Sequence, residues 1–217
     1  MREDASAAAM QWVRPAKQER SAKTHELFLD TVEAMLEEQG VHQLQVKDIA
    51  ARANLSVGGF YSRFVTREGV LRAVHERFAV EAVATASTAL APSRWAGTSL
   101  ADATPLLVGF LADDYRRRPG FRRALVVMAA TDAELLPRAQ QVTAEVTAAI
   151  AVFLDSKAAE MTTPLDVRGT AELVHRLLFA TLDNHVLTAP SAGRALPFDA
   201  LVAALTRVVA GVFGFRA

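Results

Sequence analysis

The chain has 217 residues, 51% of them hydrophobic and 22% charged, which suffices for one large domain or two smaller ones with a real core. Its 24 basic and 24 acidic side chains cancel, and it contains no cysteine, which excludes disulfides, thiol catalysis and cysteine-ligated zinc. The longest apolar runs, "ALVVMAA" (124–130) and "VVAGVFGF" (208–215), fall far short of the roughly 20 residues that cross a bilayer, so no membrane partner is expected. The N-terminal text lacks an apolar export core, and a cytoplasmic location is expected.

Residues 1–20 show no sustained period and read as a flexible arm, whose Arg14, Lys17 and Arg20 either enter a minor groove or stay solvated. Leu27, Phe28, Thr31, Met35 and Leu36 then form the stripe of an amphipathic helix over 23–39, with Gly40 placed to end it. Val46, Ile49, Ala50 and Ala53 mark a short second helix over 46–53. Asn54 suits a left-handed turn, and Ser56 is an N-cap for a third helix running to Phe64. Thr66 caps a long helix over 67–88 carrying Val70, Leu71, Val74, Phe78 and Ala82.

Downstream, "APSRWAGTSL" reads as a loop. Helices over 101–117 and 121–130 follow, separated by "RRPG", where Pro119 resists continuation and Gly120 permits a sharp turn. Further stripes predict helices over 134–159 (Val142, Val146, Ile150, Phe153), 166–187 (Ala171, Val174, Leu178, Leu182, Val186) and 198–213 (Leu201, Leu205, Val208, Val212). No strand alternation or repeat is visible. The pattern is an all-α protein of about nine helices.

Two short helices joined by a tight turn and braced by a third form a helix-turn-helix, a unit that lays its last helix in the DNA major groove. That reading gives Gly58 and Gly59 a purpose. Each costs about 1 kcal/mol of helix propensity, and a backbone can approach DNA closely only where side chains are small. The alternative is that they loosen a short turn. Global neutrality weighs little here, because Lys47, Arg52, Arg63 and Arg67 against Asp48 leave the 41–67 segment locally positive.

The stretch "VKDIAARANLSVGGFYSRFVTREGVLRAV" (46–74) resembles the DNA-binding signature of the TetR family of transcriptional regulators. The shared positions are Ile49-Ala50, Ser56, Gly58, Phe60, Tyr61, Phe64, Thr66-Arg67-Glu68 and Leu71, and "ELFLDTVEAMLEEQG" upstream is similar to the family's first helix. Asn54 stands where glycine is usual, Arg67 where lysine is usual, and Gln45 where Ser or Thr usually caps the second helix.

The resemblance implies a helix-turn-helix DNA-binding domain at 21–68 and a helical effector-binding and dimerisation domain at 69–217. It implies Lys47, Ser56, Gly58, Gly59, Tyr61, Arg63 and Arg67 at the DNA. Tyr61 and Arg63 would lie on the exposed face of the recognition helix, Arg63 reading guanine or clamping phosphate. Lys47 and Arg67 would anchor the backbone. Phe60 and Phe64 would pack with Leu27, Phe28, Ile49 and Leu71. The last two helices would pair with a second copy, giving a homodimer on a palindromic operator in double-stranded DNA; the alternative is that they only complete the core of the monomer.

A hydrophobic small-molecule effector would enter a pocket with Phe78, Phe110, Tyr115, Met128, His175, Phe179 and Asn184 as candidate lining, and its binding would shift the 67–88 helix and release the operator. An activator, an effector-independent regulator, and a small all-α enzyme or carrier are the alternatives. No catalytic residues and no cofactor are expected. His25, His42, His75, His175 and His185 stand singly without metal-ligand spacing, so no metal is expected. "DD" (113–114) before "YRRRPGFRR" reads as a helix end whose cations complement the dipole, or as a second nucleic-acid patch.

Overall fold

The computed structural model describes residues 19–163, 165–188 and 196–215, with side chains from residue 22 onward. Arg14 and Lys17 of the expected arm lie outside the described residues, and Arg20 is described in backbone only. Nine α-helices occur among the described residues: α1 (Glu19–Gln39), α2 (Val46–Arg52), α3 (Val57–Tyr61), α4 (Arg67–Ala89), α5 (Leu100–Arg117), α6 (Pro119–Thr131), α7 (Leu136–Asp155), α8 (Val167–Thr188) and α9 (Phe198–Phe213). Two 3-10 turns, Pro92–Trp95 and Ala158–Glu160, complete them, and none of the described residues is in a strand. Among the described residues, no helix is long and apolar enough to cross a membrane.

The chain forms two compact units, Met1–Val80 with Gly120–Ala139, and Glu81–Pro119 with Gln140–Ala217. In the first, Phe28, Val32, Met35 and Leu36 of α1 meet Leu44, Ile49, Phe60, Phe64, Val70, Leu71 and Val74, and α6 adds Phe121, Leu125 and Met128. Phe28, Phe60 and Phe64 are wholly buried, with the Phe28 ring edge-on to both others at 5.5 and 5.9 Å between centroids. In the second unit, α9 packs on α5 and α8 around Tyr115, Phe153, Leu182 and Phe213. The α8 stripe of Ala171, Val174, Leu178, Leu182 and Val186 is buried as its period predicts.

Local capping follows the sequence closely. Gly40 ends α1 at φ +73°, and Asn54 adopts φ +54° in the turn between α2 and α3. A residue with a Cβ pays about 1–2 kcal/mol in that conformation, and Asn pays least among them. Asn54→Ala is therefore expected to lower the stability of this unit by about 1 kcal/mol in urea denaturation, and Asn54→Gly to leave it unchanged. The hydroxyl of Ser56 accepts from the Gly59 amide at 3.0 Å, and that of Thr66 from the Gly69 amide at 3.0 Å. Gln45 precedes α2 without any side-chain cap.

Four expectations need correction. Leu27 does not join the aromatic core: it is exposed, and Leu29 and Val32 take its place because α1 turns its Phe28–Met35 face to its partners. Val208 is likewise exposed, while Val209 and Phe213 are buried. The third helix stops at Tyr61, and Phe64 reaches the core from the following turn. Pro119 and Gly120 do not form a turn between helices. They open α6, where proline is favoured because the first helical position needs no N–H. Gly120 is required for another reason: a Cβ there would sit 2.0 Å from the Glu37 carbonyl oxygen. The Glu37 carboxylate accepts from the Phe121 amide at 2.7 Å, so α1 caps α6 across 84 residues of sequence.

Charged side chains tie the first unit together. Arg72 of α4 donates to both carboxylate oxygens of Asp132, at 2.7 and 3.0 Å, and to Glu134 at 2.7 Å. Arg138 of α7 makes a two-pronged pair with Glu76. Arg77 reaches Glu26, Asp30 and Glu33 along α1.

Candidate nucleic-acid interface

Helix α3 is five residues long and buries Phe60 alone, with Val57, Gly58 and Tyr61 exposed and Gly59 half-buried. Gly58 is exposed, and a Cβ added there would meet nothing closer than the Ser56 hydroxyl at 3.8 Å. At Gly59 the nearest atom is that same hydroxyl, at 3.3 Å. Neither glycine has a positive φ. Nothing among the described residues demands glycine at position 58, and only a side-chain oxygen crowds position 59.

Tyr61 is 47% exposed, with its ring edge-on to Phe60 at 5.4 Å, so a buried aromatic fixes the base of a side chain that points outward. One turn earlier, Val57 is 44% exposed and shares this face. The sequence offered no signal for Val57, because an apolar residue at a helix start reads as core. Only burial separates the two.

The cations divide into committed and open ones. Arg52 pairs with Glu38 of α1 on the surface. Lys47, exposed at the start of α2, makes no ion pair among the described residues. Arg63 departs from the expected exposed face: it is half-buried in the turn after α3, and its Nε is buried without a hydrogen-bond partner. Its charge acts on His25, whose ring stacks on Phe64 at 5.2 Å. Burial holds the His25 imidazole below its ordinary pKa; Glu26 opposes that shift, and Arg63 and Arg77 reinforce it.

Arg67 also departs from expectation. Its Nε donates to the Leu44 carbonyl at 2.7 Å, one terminal nitrogen donates to the Val41 carbonyl, and the other reaches Glu68 at 3.2 Å. The guanidinium expected to meet a phosphate is instead folded back on the loop between α1 and α2.

The candidate effector residues separate. Phe78 and Met128 lie in the first unit, Phe78 edge-on to Phe121 and Met128 in the core. The other five lie in the second unit. Tyr115 is buried and donates to Asp183 at 2.7 Å, His175 stacks on Phe179 at 4.3 Å, and Asn184 is exposed. Burial lowers the His175 pKa, and Arg176 adds to the shift. Phe110 is half-exposed in an open cavity of about 480 Å³, with Thr85, Thr88, Arg94, Trp95, Leu106 and Leu107 among its walls. Among the described residues, no three His, Asp or Glu side chains converge as a metal site.

Residues 28–74 match the family model described as bacterial regulatory proteins, tetR family. Among solved structures, a TetR family transcription regulator from Marinobacter aquaeolei superposes with a TM-score of 0.65 at 16% identity, over 91% of this chain and 98% of that one. SmeT, the repressor of the Stenotrophomonas maltophilia multidrug efflux pump SmeDEF, superposes at 0.66 with 15% identity, covering 87% and 89%. The fatty acid degradation regulator FadR from Bacillus halodurans gives 0.62 at 21% identity, covering 88% and 97%. No curated protein matches the chain in sequence. The matched segment runs from α1 into α4, through the capped turn and the glycine pair: residues 28–74 form a tetR-family domain, and the described fold is the one shared by these solved regulators.

Proposed function

We propose that this chain is a cytoplasmic transcriptional regulator that binds double-stranded DNA through α3, as a homodimer on a palindromic operator, and represses until a hydrophobic small molecule releases it. The observation that carries the DNA reading is the pair of glycines on the first turn of α3. They forgo about 1 kcal/mol of helix propensity each, although position 58 has room for a side chain. A surface kept bare in this way suits a partner that must come within backbone contact. Outward Tyr61 and Val57 complete that face, and an apolar side chain such as Val57 fits the methyl group of thymine. Lys47 supplies an open cation for phosphate, and Arg63 stands beside the reading helix.

Dimerisation is supported by apolar residues left exposed on the last two helices, Leu187 of α8 and Val208 of α9. An effector is supported by the Phe110 cavity in the second unit, whose volume lies within the range of small-molecule sites. Repression is supported by SmeT, a repressor that shares the fold.

Selection of bound fragments from genomic DNA tests the reading. The wild-type protein is expected to recover a palindromic site, and a Tyr61→Ala/Arg63→Ala double variant to lose at least tenfold in enrichment for it. Equal, sequence-blind recovery by both proteins would reject it.

A further inference from the structure

We infer that Arg67 is a positioning residue that sets the entry of α2, and through it α3, rather than a phosphate anchor; this rests on the DNA-binding reading above. The loop from Gly40 to Gln45 must hold α2 at a fixed angle, yet it has few means of doing so. Its last residue, Gln45, gives α2 no side-chain cap, and α2 is only seven residues long. What holds the loop is a side chain from another helix. Arg67, the first residue of α4, places two different guanidinium nitrogens on the carbonyls of Val41 and Leu44, 26 and 23 residues earlier. Leu44, which supplies one of those carbonyls, is sunk into the core at 1% exposure, so the loop is pinned by one apolar side chain and one planar fork.

A guanidinium suits this task because Nε and a terminal nitrogen donate in one plane to two acceptors, which an ammonium cannot reproduce. A lysine here would be free to swing outward to DNA. The arginine has spent the geometry that a two-pronged phosphate contact requires, and its remaining terminal nitrogen faces Glu68, whose carboxylate would repel a phosphate. The same bonds tie the start of α4 to the loop before α2, so a displacement of α4 would pull directly on the DNA-reading helices. A loosened loop would lower the population of the binding-competent arrangement and raise the apparent Kd in proportion.

Arg67→Lys and Arg67→Gln separate the two roles, with a mixed-sequence 40-base-pair duplex as the probe and amide hydrogen exchange on the free protein as a second readout. If Arg67 positions α2, both variants lose about tenfold in affinity, while the slope of log K against log salt stays at the wild-type value. Exchange then accelerates at residues 41–49 in both variants but not across α1 or α4. The inference is overturned if Arg67→Lys binds like the wild type while Arg67→Gln loses about 0.9 from the salt slope, the signature of one lost phosphate contact. Unchanged exchange at 41–49, or acceleration spread evenly over the first unit, would also overturn it. If the wild type binds no duplex, the DNA reading fails, and the exchange pattern alone decides whether Arg67 pins the loop.

Discussion

Phe60→Ala is expected to destabilise the first unit by about 3–5 kcal/mol, a large part of the 5–15 kcal/mol that holds a typical domain folded. The ring is wholly buried and packs against Phe28 at 5.5 Å and Phe64 at 5.3 Å, both of which it would leave facing a cavity. The damage is greater than for an average core phenylalanine because Phe60 is the one buried residue of α3. A five-residue helix has no cooperative length of its own, so removing its anchor removes the reason for it to be helical. Urea denaturation followed by circular dichroism should show the midpoint falling sharply, and Phe60→Leu should retain most of it, with a loss of about 1.5 kcal/mol or less. A Phe60→Ala variant as stable as the wild type would mean that α3 is held by something other than this cluster.

Gly120→Ala is expected to cost about 3 kcal/mol, at the upper end for overpacking, because the atom it meets is backbone and not a side chain that can rotate away. The new methyl would lie 2.0 Å from the Glu37 carbonyl oxygen and 2.8 Å from its carbon. To relieve that, the start of α6 must retreat from α1, which also breaks the bond from the Phe121 amide to the Glu37 carboxylate. In a chain of this size the loss corresponds to a melting temperature lower by about 10 °C. Gly109→Ala makes the matched comparison. Its Cβ would enter open space in the middle of α5, so the same substitution should raise stability by about 1 kcal/mol through helix propensity. Equal effects at the two positions would contradict the packing argument at Gly120.

These two sites also mark how far the sequence could be read. Ser56, Thr66, Asn54 and Gly40 were legible because each acts on its own backbone or within three or four residues, where spacing alone carries the information. Helix count and the α8 stripe were legible because a 3.6-residue period needs no knowledge of the partner. The phase of a stripe is another matter. Leu27 and Leu29 flank Phe28 symmetrically in sequence, and only the position of the packed helices decides which is buried.

Gly120 read as a turn because its actual constraint, a carbonyl on α1, is 83 positions away. The bonds from Arg67 to the loop before α2 were hidden for the same reason, their acceptors lying 23 and 26 residues upstream. In the candidate interface, Tyr61 was legible as an outward residue, whereas Val57 was hidden behind its own hydrophobicity and Arg63 proved half-buried.

The return of residues 120–139 to the first unit has a consequence for synthesis. A nascent chain that has just cleared the ribosome tunnel up to Val80 carries α1 to α3 and the first part of α4, but not Phe121, Leu125 or Met128, which complete the core around them. Nor does it carry Asp132, Glu134 or Arg138, the partners of Arg72 and Glu76. At about 5–20 residues per second, the remaining stretch takes several seconds to emerge. During that interval the core of the first unit lacks the cover of Phe121, Leu125 and Met128, which makes the half-made chain a natural client for chaperones that bind exposed apolar segments.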